Sequence, residues 1–97
     1  MSEKTKDVAL AHLANDMIEL RSRMIETGKT AAQVIARNQP EVFELLRDAF
    51  SSDEAEIAGW LTHTLVLYRK SPLEMLVEGN TDEVRRVLGS IIHGLPA

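Results

Sequence analysis

Helix punctuation recurs along this chain at intervals too short for anything but a stack of small helices. Thr30-Ala31-Ala32-Gln33 and Ser71-Pro72-Leu73-Glu74 both have the capping-box form, a hydroxyl followed three residues later by Glu or Gln. Asn38 precedes Pro40 and Glu41, and Ser51-Ser52-Asp53 precedes Glu54 and Glu56, so acidic groups fall where the positive end of a helix favours them. Thr81 stands before Asp82 and Glu83, again a start signal. Stops follow the starts: Thr27-Gly28, Gly79, and Gly94 with Pro96 beyond it.

Apolar spacing between these marks agrees with helices. Val84, Val87, Leu88, Ile91 and Ile92 recur at i, i+3, i+4, i+7 and i+8, an amphipathic stripe. Val42, Leu45, Leu46 and Ala49 make a second face, widened by Phe43 and Phe50. Leu10, Leu13, Met17, Leu20 and Met24 step by 3, 4, 3 and 4, the spacing of a heptad seam. That first segment is expected to end at Thr27-Gly28, and a separate short helix to run from Thr30 to Arg37. Leu65-Val66-Leu67-Tyr68 is the one run that suits a strand, but no second run pairs with it, so an irregular connection is expected. The expected fold is all-α: a small bundle of five to six short helices whose upstream part resembles a degenerate helix-turn-helix. Residues 1–50 form an N-terminal helical region and residues 51–97 a second region, together one compact domain, since 97 residues leave no room for two independent cores.

Composition narrows the function classes. Without cysteine there is no disulfide, thiolate metal site or cysteine nucleophile, which suits a reducing cytoplasm. No stretch is apolar enough to be a signal sequence or a membrane span, so a cytoplasmic protein is expected. His12 and Asp16 have the i, i+4 spacing of a metal pair but no evident third ligand. Gly79-Asn80-Thr81 lacks the lysine and flanking glycines of a phosphate loop. Ser71 and Ser90 read as a cap and a helix residue. No catalytic residue, cofactor or metal is therefore expected, and the chain reads as a non-enzyme.

Net charge is −4, with seven basic and eight acidic side chains in residues 1–50 and four and seven in residues 51–97. A helix-turn-helix over residues 30–50 would offer Arg37 and Arg47 as candidate DNA contacts. Its second helix also carries Glu41, Glu44 and Asp48, which repel phosphate.

From Trp60 onward the order of features is more specific than any single piece of it. Trp60 is followed by the link Leu65-Val66-Leu67-Tyr68-Arg69-Lys70, then Ser71-Pro72-Leu73-Glu74-Met75-Leu76, Gly79, the Glu83–Ile92 helix, and His93-Gly94. This order resembles the toxin-binding domain shared by the Xre, MbcA and ParS antitoxins. The resemblance implies a cytoplasmic antitoxin that binds a RES-domain, NAD-consuming toxin and inserts its C-terminal end into the toxin active site. It implies Trp60, Arg69, Lys70 and Pro72 as a supporting frame, with His93, Gly94, Leu95, Pro96 and Ala97 as the inserting end. The chain departs from that pattern at His63-Thr64, where an asparagine is usual, and at Leu95-Pro96, where an aromatic is frequent. Two alternatives stand beside it: a small helix-turn-helix transcriptional regulator on operator DNA, and a structural helical homodimer built on the first helix with no toxin partner.

Overall fold

The computed structural model describes residues 2–94, with side chains from residue 7 onward. The described residues form five helices and no strand: α1 (Ser2–Asn38), α2 (Pro40–Ala49), α3 (Glu54–Thr62), α4 (Pro72–Val77) and α5 (Thr81–Ile92). The all-α expectation holds, but the helices are not uniformly short. At about 1.5 Å rise per residue, the 37 residues of α1 account for the 56 Å long axis of the molecule.

Two expected boundaries do not exist. Thr27-Gly28 does not end the first helix, and Thr30 does not start a new one; both lie inside α1. The Thr30 hydroxyl donates to the Glu26 carbonyl at 3.2 Å, the back-bond of a helix-interior threonine rather than a cap. Gly28 is there for packing. A Cβ on it would stand 2.7 Å from the Ala58 Cα, so only glycine lets α1 and α3 approach this closely. The cost of an interior glycine, about 1 kcal/mol relative to alanine, is offset by that contact. Thus a residue that reads as a stop in isolation is a crossing point in the fold.

The joint after α1 is the single residue Gln39. Its carbonyl accepts from the Val42 and Phe43 amides at 3.0 and 3.2 Å, and Pro40 opens α2 where an N–H is dispensable. Asn38 ends α1 but does not cap α2. A turn follows in which Ser51 and Ser52 both have positive φ, 53° and 61°. Asp53 then caps α3 by accepting from the Glu56 amide at 3.0 Å.

The capping box at Ser71 forms as expected. The Glu74 amide donates to the Ser71 hydroxyl at 3.2 Å, and the Ser71 amide donates to the Glu74 carboxylate at 3.1 Å. Gly79, at φ 86°, turns the chain out of α4, and the Asn80 amide closes onto the Met75 carbonyl at 2.8 Å. Asn80 rather than Thr81 holds the N-cap position of α5, with no side-chain cap; Thr81 is its first helical residue.

All five helices line one core. Ile35 of α1, Val42 and Leu46 of α2, Ile57 and Leu61 of α3, Met75 and Leu76 of α4, and Val84 and Leu88 of α5 are buried together. Only the C-terminal part of α1 enters it: Ile25 and Gly28 meet α3, and Ala31, Ala32 and Ile35 pack inward. The heptad seam lies outside, with Leu10, Leu13, Met17, Leu20 and Met24 all exposed. No described helix is long and apolar enough to cross a membrane.

Candidate protein-binding face

Residues 63–71 connect α3 to α4 as a turn closed on itself. The Leu65 amide donates to the Lys70 carbonyl at 2.9 Å, the sole bridge pairing among the described residues, so the apolar run is a closed loop and not a strand. Its tip is tightened by the Tyr68 and Arg69 amides, which both donate to the Leu65 carbonyl. Arg69 takes the left-handed conformation at φ 56°, uncommon outside glycine, asparagine and aspartate.

The closed loop is tied down at both ends. Lys70 pairs with Glu78 at the end of α4. Tyr68 reaches α5, where its hydroxyl donates to Glu83 at 2.8 Å and accepts from Arg86, while Arg86 also donates to Glu83 at 3.2 Å. The Tyr68 hydroxyl and then the Arg86 guanidinium hold the Glu83 carboxyl below the usual glutamate range. The same triad raises Arg86, through Glu83 first and Tyr68 second. Glu74 is likewise lowered, chiefly by the Ser71 amide and then by the Ser71 hydroxyl.

With its ends fixed, the loop turns two apolar side chains outward. Val66 is 90% exposed and Leu67 74%. They themselves line a shallow apolar hollow together with Leu65, Tyr68, Arg86 and Val87. Ser90 and Ile91 follow Arg86 and Val87 by one turn of α5, so this surface runs down the last helix toward its end at Ile92, two residues before Gly94. Gly94, at φ 67°, is the expected helix stop.

The residues expected to form a supporting frame divide by position. Trp60 is partly buried and packs against Phe50 with tilted rings whose centroids are 5.6 Å apart, and Pro72 is fully buried at the start of α4; both belong to the packed interior. Lys70 braces the loop, and Arg69 makes its turn. His93 and Gly94 lie just beyond α5, both exposed, whereas Leu95, Pro96 and Ala97 lie outside the described residues. Close packing does not account for Gly89: beyond its chain neighbours and its own helix backbone, a Cβ added there would meet nothing within 4 Å. Tyr68, Glu83 and Arg86 as a triad were not anticipated. Only the i, i+3 spacing of Glu83 and Arg86 was visible locally; the 15-residue separation from Tyr68 carries no periodic signal.

Arg37 and Arg47 lie on different helices, α1 and α2. Residues 30–37 are the end of α1, and one residue joins them to α2, where a helix-turn-helix has a turn of about three or four. Arg47 pairs with Glu44 at 3.4 Å, and Glu41 of the same helix pairs with Arg85 at 3.0 Å. A cleft where Lys29, Gln33, Phe43, Arg47, Glu54 and Ile57 meet mixes both signs of charge. Among the described residues no three potential metal ligands come together.

The chain matches no protein-family model, no curated protein and no solved structure.

Proposed function

We propose that this chain is a protein-binding module of the antitoxin kind, which neutralises a RES-type, NAD-consuming toxin by inserting its C-terminal end into the toxin active site. The observation that carries a protein partner is the pair Val66 and Leu67. A loop braced by Lys70–Glu78 and by Tyr68–Glu83–Arg86 holds two apolar side chains in water, on the face that continues along α5 toward Gly94. Rigidly presented apolar groups beside an exiting chain end suit docking onto another protein, because little ordering entropy remains to be lost on binding. The choice of a RES-type toxin rests on the resemblance of the Trp60–Gly94 order to the antitoxin domain. In this reading Trp60 and Pro72 keep the frame rigid, Arg69 and Lys70 shape the loop, and residues 93–97 enter the toxin.

The test is neutralisation in cells of a RES-domain protein encoded beside this chain. Removing Leu95–Ala97 is expected to abolish protection while circular dichroism and thermal melting stay unchanged. Protection by the truncated chain equal to that by the full chain overturns the insertion; absence of any complex with the neighbouring protein overturns the antitoxin reading. Self-association through α1 is a separate reading, supported by the exposed heptad seam, and it does not depend on a toxin.

A further inference from the structure

We propose that two copies of this chain pair antiparallel through the N-terminal half of α1, each copy's free half covering the groove between α1 and α3 of the other. The seam residues Leu10, Leu13, Met17, Leu20 and Met24 are between 46% and 61% exposed, a continuous apolar stripe over about 21 Å of helix. Their 3-4-3-4 spacing is the one that meshes with a second helix of the same kind. A lipid surface fits less well: Asp7, Asp16, Glu19 and Glu26 outnumber Arg21 and Arg23 on this stretch, and interfacial helices are rich in lysine and arginine.

The two flanks of the seam differ, and the difference selects the orientation. On one flank stand Arg21 and Gly28, which face α3: Gly28 lies against Ala58, and Arg21 joins Met17, Met24, Gly59 and His63 around an apolar groove. On the other flank stand Asp16 and Arg23, both exposed. Among the ion pairs of the described residues none uses Asp16, Arg21 or Arg23. In an antiparallel pair centred between Ile18 and Glu19, Leu13 meets the second copy's Met24 and Met17 meets its Leu20, each contact occurring twice. Asp16 then faces the second copy's Arg23 on the open flank, also twice. On the flank nearer α3 the incoming helix presents Ala11 and Ala14, small enough to lie beside the groove at Gly59 and His63. A parallel pair instead directs Asp16 to the second copy's Arg21, on the flank that α3 occupies, and brings the second copy's Arg21 rather than its small Ala14 to that flank. Charge, side-chain size and the position of α3 all favour the antiparallel arrangement.

Charge reversal on the open flank tests this with the intact chain. Analytical ultracentrifugation of the native protein is expected to give a dimer. Asp16→Arg and Arg23→Asp, each alone, place like charges opposite one another twice and are expected to weaken the dimer about tenfold or more. Mixing Asp16→Arg with Arg23→Asp restores two opposite-charge pairs in the heterodimer and is expected to recover native affinity. Leu20→Asp is expected to give monomer with an unchanged helical signal. Recovery on mixing Asp16→Arg with Arg21→Asp, but not with Arg23→Asp, overturns the antiparallel arrangement in favour of the parallel one. A monomeric native protein at high micromolar concentration, or a dimer insensitive to Leu20→Asp, overturns the interface itself.

Discussion

Gly28 and Ala58 bring α1 and α3 so close that a single methyl group would not fit between them: a Cβ on Gly28 would stand 2.7 and 2.8 Å from the Ala58 Cα and carbonyl carbon. The atoms in the way are backbone, which cannot swing aside. This contact fixes where α3 crosses α1. It therefore fixes the groove near Met17 and Met24 and, through α3, the start of the loop that carries Val66 and Leu67.

Gly28→Ala is accordingly expected to destabilise the protein although alanine is the better helix former. Overpacking of about 1–3 kcal/mol exceeds the propensity gain of about 1 kcal/mol. Gly89→Ala is the control: it is also inside a helix, but beyond its chain neighbours and its own helix backbone no atom lies within 4 Å of the added methyl group. It is expected to stabilise by about 0.5–1 kcal/mol. Urea denaturation of the two variants checks the opposite signs.

Ser71→Ala removes a buried cap whose hydroxyl accepts from the Glu74 amide. The expected loss is about 1 kcal/mol, which lowers the melting temperature by roughly 4–8 °C for a chain of this size. An unchanged melting temperature in a thermal scan would show that α4 does not depend on its cap.

Acid is expected to release the loop before it unfolds the core. Glu83 has its folded-state pKa lowered by the Tyr68 hydroxyl and by Arg86, so its contribution to stability is complete above the ordinary glutamate value, about 4.3. That contribution is lost as pH falls further, through the lowered value. Glu74, lowered by Ser71, loses its contribution in the same acidic window. The ring resonances of Tyr68, the single tyrosine, report the change. Glu83→Gln is expected to remove the part of the pH dependence that belongs to the loop and to leave the Ser71–Glu74 part.

Val66→Ser with Leu67→Ser is expected to change unfolding free energy by no more than about 0.5 kcal/mol, because both side chains stand in water. The same double variant is expected to weaken capture of the protein partner. A large loss of stability would mean that the pair supports the fold rather than a partner.

Much of this architecture was legible along the chain because it rests on local chemistry. Ser71, Pro72 and Glu74 specify a helix start through bonds spanning three residues. Gly79 and Gly94 specify stops because the chain needs positive φ there, and Val84, Val87 and Leu88 of the α5 stripe specify a buried face, while Ile91 near its end is exposed. None of these requires a distant partner to be recognised. The same reasoning misread Gly28 and Thr30, since a glycine that ends a helix and one that admits a neighbouring helix look alike until the neighbour is placed. The Tyr68–Glu83–Arg86 triad was hidden for the same reason, joining a loop to a helix 15 residues away. Sequence by itself determined that this protein is helical, where most helices begin and end, and that a heptad seam lies near the start. Tertiary structure decided that α1 is continuous, that its seam stays outside the core, and that Val66 and Leu67 face water. Those outcomes depend on what packs against each residue, and packing is a property of the assembled helices.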